Sequence, residues 1–148
     1  VIDEVLDQAG LEWYEVSNWA GPGGKCRHNR AYWGSEDWWG IGPGAHSHLD
    51  GVRWWNLKHP RTYADALAQG RIPEAGRERL TAAERRVEQV MLGVRTRTGI
   101  DSRTVDRRVA EGLLDRGLID AGRLADGSIV LTRPGRLLAD AVIRELLP

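Results

Sequence analysis

The sequence predicts an α/β fold in two parts, an α/β piece followed by a small winged-helix-like domain. Three observations carry this. A short helical stretch passes through one glycine into an aromatic, roughly alternating stretch, which is the αβ half of a parallel α/β unit. All seven tryptophans fall between Trp13 and Trp55, so the two parts differ in composition. From Thr81 onward the apolar spacing reads helix, helix, two short strands around an Asp-Gly turn, helix.

In chain order, Val1, Ile2, Val5, Leu6 and Ala9 share one helical face, and Gly10 ends it. The chain opens on that spacing without an initiator methionine or a capping residue, so we expect a cut within a helix and a piece of a longer protein. Residues 11–19 read as one strand. In parallel α/β folds ligands sit in the loops beyond strand C-termini. That places the loop at 20–25 and the segment 26–33 on a functional rim. Residues 38–42 read as a further short strand running into a glycine loop. Asp50-Gly51 is a hairpin turn signal between 48–49 and 52–55. Pro60 opens a helix carrying Tyr63, Ala64, Leu67 and Ala68, ended by Gly70. Residues 71–80 read as a linker between domains at 1–70 and 81–148.

Thr81-Ala82-Ala83-Glu84 is a capping box, and Val87, Val90, Met91 and Val94 follow at core spacing. Gly99-Ile100-Asp101 break that helix. A second helix holds Val105, Val109, Leu113 and Leu114 up to Gly117. Residues 118–120 and 129–132 form the expected wing around a polar turn at 125–128. Pro134 starts a last helix that buries Leu137, Leu138, Ala141, Val142, Leu146 and Leu147.

The 148 residues are 41% hydrophobic and 28% charged, which suits a globular chain. Lys plus Arg and Asp plus Glu both number 21, so the net charge is zero and the overall electrostatic case for nucleic acid is removed. Arg103, Arg107, Arg108, Arg133 and Arg136 could meet phosphate. Asp101, Asp106, Glu111 and Asp115 lie among them and the wing carries no cation, so no nucleic acid is expected. The single cysteine, Cys26, allows no intrachain disulfide and fits a reducing cytoplasm. No apolar run approaches the ~20 residues that span a bilayer.

The candidate chemistry lies in two motifs, Cys26-Arg27-His28-Asn29-Arg30-Ala31-Tyr32-Trp33 and Gly40-Ile41-Gly42-Pro43-Gly44-Ala45-His46-Ser47. If the first is helical, His28 and Tyr32 share a face. His28 then serves either as a metal ligand or as a structural hydrogen-bonding group. Cys26 and His28 stand two apart and do not face each other, which argues against a nucleophilic dyad. Cys26 is read as a supporting ligand contact or, more plainly, as a buried inert thiol. The glycine loop lacks Gly-Lys-Ser/Thr and Pro43 removes a donor, so it is no Walker or dinucleotide loop. It reads as a close approach to a ligand or as a tight turn. Trp38, Trp39, Trp54 and Trp55 either line a ligand pocket or, more plainly, fill core. His48 and His59 receive no role, and no spacing suggests zinc.

These two motifs, with Tyr14-Glu15-Val16-Ser17-Asn18-Trp19-Ala20 and the tail segment 131–138, resemble the C-terminal part of radical-SAM heme chaperones of the HemW type, relatives of oxygen-independent coproporphyrinogen III oxidase. The resemblance covers essentially the whole chain. It implies the last strand and helix units of a partial (β/α) radical-SAM barrel, then the winged-helix-like domain. It implies heme binding by His28, Asn29, Tyr32 and Trp33, with Cys26 beside them and His28 as the metal ligand. Ala45 and His46 would line the S-adenosylmethionine side. Heme acceptor proteins would be the partners, with peripheral contact to membrane proteins, and the cytoplasm the location. The alternative within the family is oxidative decarboxylation of coproporphyrinogen III in porphyrin biosynthesis. The alternative outside it is a winged-helix nucleic-acid or partner-binding module. The family's [4Fe–4S] cluster needs three cysteines, so no catalytic residue is expected here and the chain alone is expected to be inactive.

Overall fold

A computed structural model describes residues 1–147; Pro148, the last residue of the predicted C-terminal domain, lies outside the described residues. The first half of the chain runs α1 (Ile2–Gln8), β1 (Glu12–Glu15), β2 (Asn18–Ala20), α2 (Arg27–Trp33), β3 (His46–Leu49), β4 (Val52–Asn56), α3 (Pro60–Ala68) and β5 (Glu74–Arg79). The second half runs α4 (Ala82–Gly93), β6 (Ile100–Asp101), a 3-10 turn, α5 (Arg107–Asp115), α6 (Ala121–Ala125), β7 (Ser128–Ile129), α7 (Arg133–Leu137) and α8 (Ala139–Leu146). They form two compact units, one of residues 1–34 with 86–148, the other of residues 35–85.

In the first unit the stretch expected as one strand over 11–19 folds back on itself. β1 and β2 pair antiparallel, with Trp13 opposite Trp19 and Glu15 opposite Asn18. Val16 takes φ 30°, and its carbonyl accepts the Trp13 indole N–H at 2.9 Å. Turn-forming Ser17-Asn18 thus overrides the strand propensity around them. The other edge of β1 is also claimed: Arg97 N donates to the Tyr14 carbonyl and Val16 N to the Arg95 carbonyl, both at 3.0 Å. Among the described residues every strand pairing is antiparallel, so the parallel unit expected from the helix–glycine–strand pattern is not seen.

α1 is tied to α7 through charge. Arg136 reaches Asp3 at 3.1 Å, and Arg133 reaches Asp3 at 3.0 Å and Glu4 at 3.1 Å. The hydrogen bond from Arg133 holds the Glu4 carboxyl below its usual range. The Arg136 guanidinium also lies 4.4 Å from the Trp13 ring centroid, a cation–π contact.

The apolar core belongs to the tail. Val94, Leu113 and Val142 are wholly excluded from solvent, and Val90 and Leu146 are also buried, as their periodicity predicts; Ile129 of β7 is wholly excluded as well. Val87, Met91, Leu137 and Leu138 were expected inside and are exposed. Leu137 and Leu138 come out because the predicted last helix breaks at Leu138 into α7 and α8. The wing also differs. β7 pairs with Ile100-Asp101 of β6, and the expected 118–120 partner keeps one bridge, Ile119 with Leu131. Asp120 instead caps α6, accepting from Arg123 N at 2.8 Å.

In the second unit β3, β4 and β5 form one antiparallel sheet in that order. Asp50 and Gly51, both at positive φ, make the predicted two-residue turn. Residues 74–79, read as part of a linker, are the edge strand β5. Four of its six residues are charged and the other two are Ala75 and Gly76, so hydrophobic periodicity carries no signal. It is held by the ladder, by the cross-strand pair Arg53–Glu78 at 3.1 Å, and by Trp55 packing over Gly76, where a Cβ would come within 2.6 Å of the indole. Residues 38–42 make a single bridge, Trp38 with His48, rather than a strand. The predicted capping box forms, with Thr81 N donating to Glu84 at 2.8 Å and Glu84 N to Thr81 Oγ1 at 3.2 Å.

Gly99 sits at φ +73°, where a Cβ would overlap the Ile129 carbonyl oxygen. Left-handed strain and overpacking add, so Gly99→Ala should cost about 2–4 kcal/mol. The check is the urea midpoint, which should fall with an unchanged slope.

Candidate functional site

Helix α2 carries the first motif. It has seven residues, no side-chain cap and no acid in its first turn. Cys26 is its extended N-cap residue, and Cys26 N donates to the buried Tyr14 hydroxyl at 3.3 Å. Helical spacing then splits the motif between two faces. His28 and Tyr32 are exposed, and their rings meet edge to face with centroids 4.6 Å apart at 78°. Asn29 and Trp33 are half-buried. The Asn29 amide donates to Glu15 Oε1 at 3.3 Å, and the same oxygen accepts the Asn18 amide at 2.7 Å. Glu15 is only 2% exposed.

The five predicted heme residues therefore do not converge on one surface. Cys26, His28 and Tyr32 face solvent, while Asn29 and Trp33 turn inward. Cys26 is exposed, which overturns its reading as a buried inert thiol. The His28 ring nitrogens have no hydrogen-bond partner among the described residues. Ring nitrogens not engaged elsewhere are available to a metal.

The second motif lies in the second unit, and its backbone is closed upon itself. Gly40 N donates to Ser47 Oγ at 2.9 Å, Gly42 N to the Tyr63 hydroxyl at 3.1 Å and Gly44 N to the Leu57 carbonyl at 3.0 Å. The Asn56 amide donates to the Gly40 and Gly42 carbonyls at 3.2 and 3.0 Å. With those amides spent, they cannot cradle an anion. Ala45 is engaged through its backbone, its carbonyl accepting Asn56 N at 2.9 Å. His46 opens β3 with an exposed ring, 6.0 Å from Trp55.

Beside this loop an open groove of about 420 Å³ is lined by Trp39, Ile41, Trp54, Tyr63, Leu67 and Ile72. Arg71 stands at it with its guanidinium on the neutral Gln69 amide at 2.9 Å. Trp39 and Trp54 meet edge to face at 5.0 Å. Trp38 packs on His48 at 4.9 Å, and the His48 ring is hydrogen-bonded to the Glu36 carbonyl at 3.0 Å. His59 caps α3, accepting Arg61 N at 3.3 Å. No group of three or more His, Cys, Asp and Glu among the described residues could hold a metal.

Sequence reasoning missed Glu15, Tyr14, Asn56, Ser47 and Tyr63 as the groups that set the two motifs. The partners of Glu15 lie three and fourteen residues away, and no local pattern marks such a bond.

No family model matches the chain. A protein of Mycobacterium tuberculosis named heme chaperone HemW is 49% identical over 99% of the chain and 38% of its own length. One of Bacillus subtilis with the same name is 27% identical over 99% of the chain and 41% of its own length. The chain corresponds to a portion of the HemW-type sequences. It spans less than half the length of these relatives. The solved structure of the Escherichia coli coproporphyrinogen III oxidase HemN, described as a radical SAM enzyme, matches with a TM-score of 0.70. It covers 99% of the HemW-like chain and 39% of that structure's chain at 18% identity, a likeness of fold alone.

An iron–sulfur cluster of the radical-SAM kind is held by cysteine thiolates. This HemW-like chain has one cysteine, so its residues do not fit that cluster. No helix of the described residues is long and apolar enough to cross a membrane.

Asn56 is 4% exposed and donates to two loop carbonyls. Asn56→Asp would aim a carboxylate at both oxygens and should cost about 2–4 kcal/mol. Chemical denaturation of the variant beside Asn56→Ala checks this, with the aspartate expected to be the worse of the two.

Proposed function

We propose that this chain supplies the heme-holding segment of a cytoplasmic heme chaperone, which takes up heme as cargo and passes it to acceptor proteins. The observation that carries the reading is the exposed His28–Tyr32 pair on one face of α2. Its imidazole has no competing partner among the described residues, and a phenol ring stands edge-on beside it. Imidazole nitrogen is an established axial ligand of heme iron, and a flanking aromatic limits how the ring turns. Cys26, the exposed N-cap residue of α2, would lie near the macrocycle's edge, while Trp33, turned inward, would support the helix from behind. The name carried by relatives at 49% and 27% identity supports the reading.

S-adenosylmethionine and the cluster would be held mainly by other parts of the whole protein, with Ala45 and His46 the residues of this chain turned toward the former. The hairpin β1–β2 is assigned to the end of the barrel. The order of α4, α5, the β6–β7 pair and α7–α8 supports a winged-helix-like tail.

Titration with ferric heme, followed at the Soret band, tests the ligand. His28→Ala should weaken binding about tenfold or more, a loss of about 1.4 kcal/mol or more, and remove the spectrum of imidazole-ligated iron. Unchanged affinity and spectrum would sink the assignment.

A further inference from the structure

We propose that Glu15 is a positioning residue that fixes which face of α2 points outward, and that Asn29 serves as its lever rather than as a heme contact. The first half stands on geometry alone, while the link to heme rests on His28 being the ligand.

α2 cannot orient itself. Seven residues are too few for a helix to be stable alone in water. It lacks a side-chain cap and an acidic first turn, so its N-terminus is not anchored by its own side chains. Each residue turns the helix by about 100°, so a slip of one residue would exchange the outward His28–Tyr32 face for the Asn29–Trp33 face. Something outside the helix must choose between them.

Two bonds from neighbouring residues of β1 make that choice. The Tyr14 hydroxyl accepts Cys26 N at 3.3 Å and sets the start of the helix. Glu15 Oε1 accepts the Asn29 amide at 3.3 Å and sets its rotation. The Asn18 amide, on the same oxygen at 2.7 Å, holds the carboxylate in place. A carboxylate can only accept and an amide N–H can only donate, so this contact has a direction that apolar packing lacks. With Asn29 held on a 2% exposed group, the amide is not available to a ligand on the His28 side.

The test uses the chain with ferric heme as probe and four variants. The heme-free measurement is hydrogen exchange of the α2 amides; the heme-bound one is the Soret and low-spin signature. Glu15→Gln keeps an oxygen able to accept both amides and should preserve slow exchange and the wild-type spectrum. Glu15→Ala and Asn29→Asp should speed α2 exchange and weaken heme binding about tenfold. Should Glu15→Ala fail to fold, Asn29→Asp carries the test, since it alters a half-buried side chain. The proposal is overturned if both leave exchange and spectrum unchanged, or if Glu15→Gln behaves like Glu15→Ala. In the fourth variant, His28→Ala, an unchanged spectrum removes the ligand reading, and the exchange measurements still decide whether Glu15 orients the helix.

Discussion

Strand β1 is claimed on both of its edges, and the first unit depends on that. One edge carries β2; the other receives Arg97 N on the Tyr14 carbonyl and sends Val16 N to the Arg95 carbonyl. A two-stranded hairpin is marginal in water, and an uncovered edge invites pairing with another chain. The turn that supplies the covering backbone is itself fixed: Thr96 Oγ1 donates to the Gly93 carbonyl at 2.8 Å and accepts Gly99 N at 3.2 Å. That turn joins α4 to β6, two walls of the apolar core. The hairpin is thus held by the part of the chain with the most buried surface, and the side chains of Tyr14 and Glu15 inherit its fixed position.

The two motifs each carry an imidazole, yet they solve opposite problems. The glycine loop closes on Ser47, Asn56 and Tyr63, so the amides of Gly40 and Gly42 and their carbonyls are engaged, while side chains such as His46, Trp39 and Ile41 stay exposed. The α2 segment instead leaves the ring nitrogens of His28 without hydrogen-bond partners among the described residues. A loop with spent amides holds shape, while an exposed imidazole is able to bind.

What could be read from the residues followed from what each signal measures. Capping box, Asp-Gly turn and proline helix starts are local, and all three formed where expected. Apolar periodicity located Val94, Leu113 and Val142 because one helical face meets one core. It failed at β5, whose residues Glu74, Arg77 and Glu78 hold the sheet edge through ladder and charge. It failed also at 11–19, where strand propensity is high on both sides of a turn marked only by Ser17-Asn18. The site was half legible. Spacing placed His28 and Tyr32 together, but the inward turn of Asn29 depends on Glu15, a partner fourteen residues back whose burial no composition foretells.

That burial is itself an argument about purpose. Sinking a carboxylate costs several kcal/mol unless hydrogen bonds replace its water. Two amides on one oxygen offset part of that cost, since bonds to a charged acceptor are stronger than neutral ones. An apolar pair of similar volume would stabilise the same spot at least as well. What an apolar pair would not provide is direction, because hydrophobic contact tolerates rotation and a donor–acceptor pair does not. A seven-residue helix that must show one face has more need of direction than of depth, and a buried acceptor at the end of a doubly held strand supplies it.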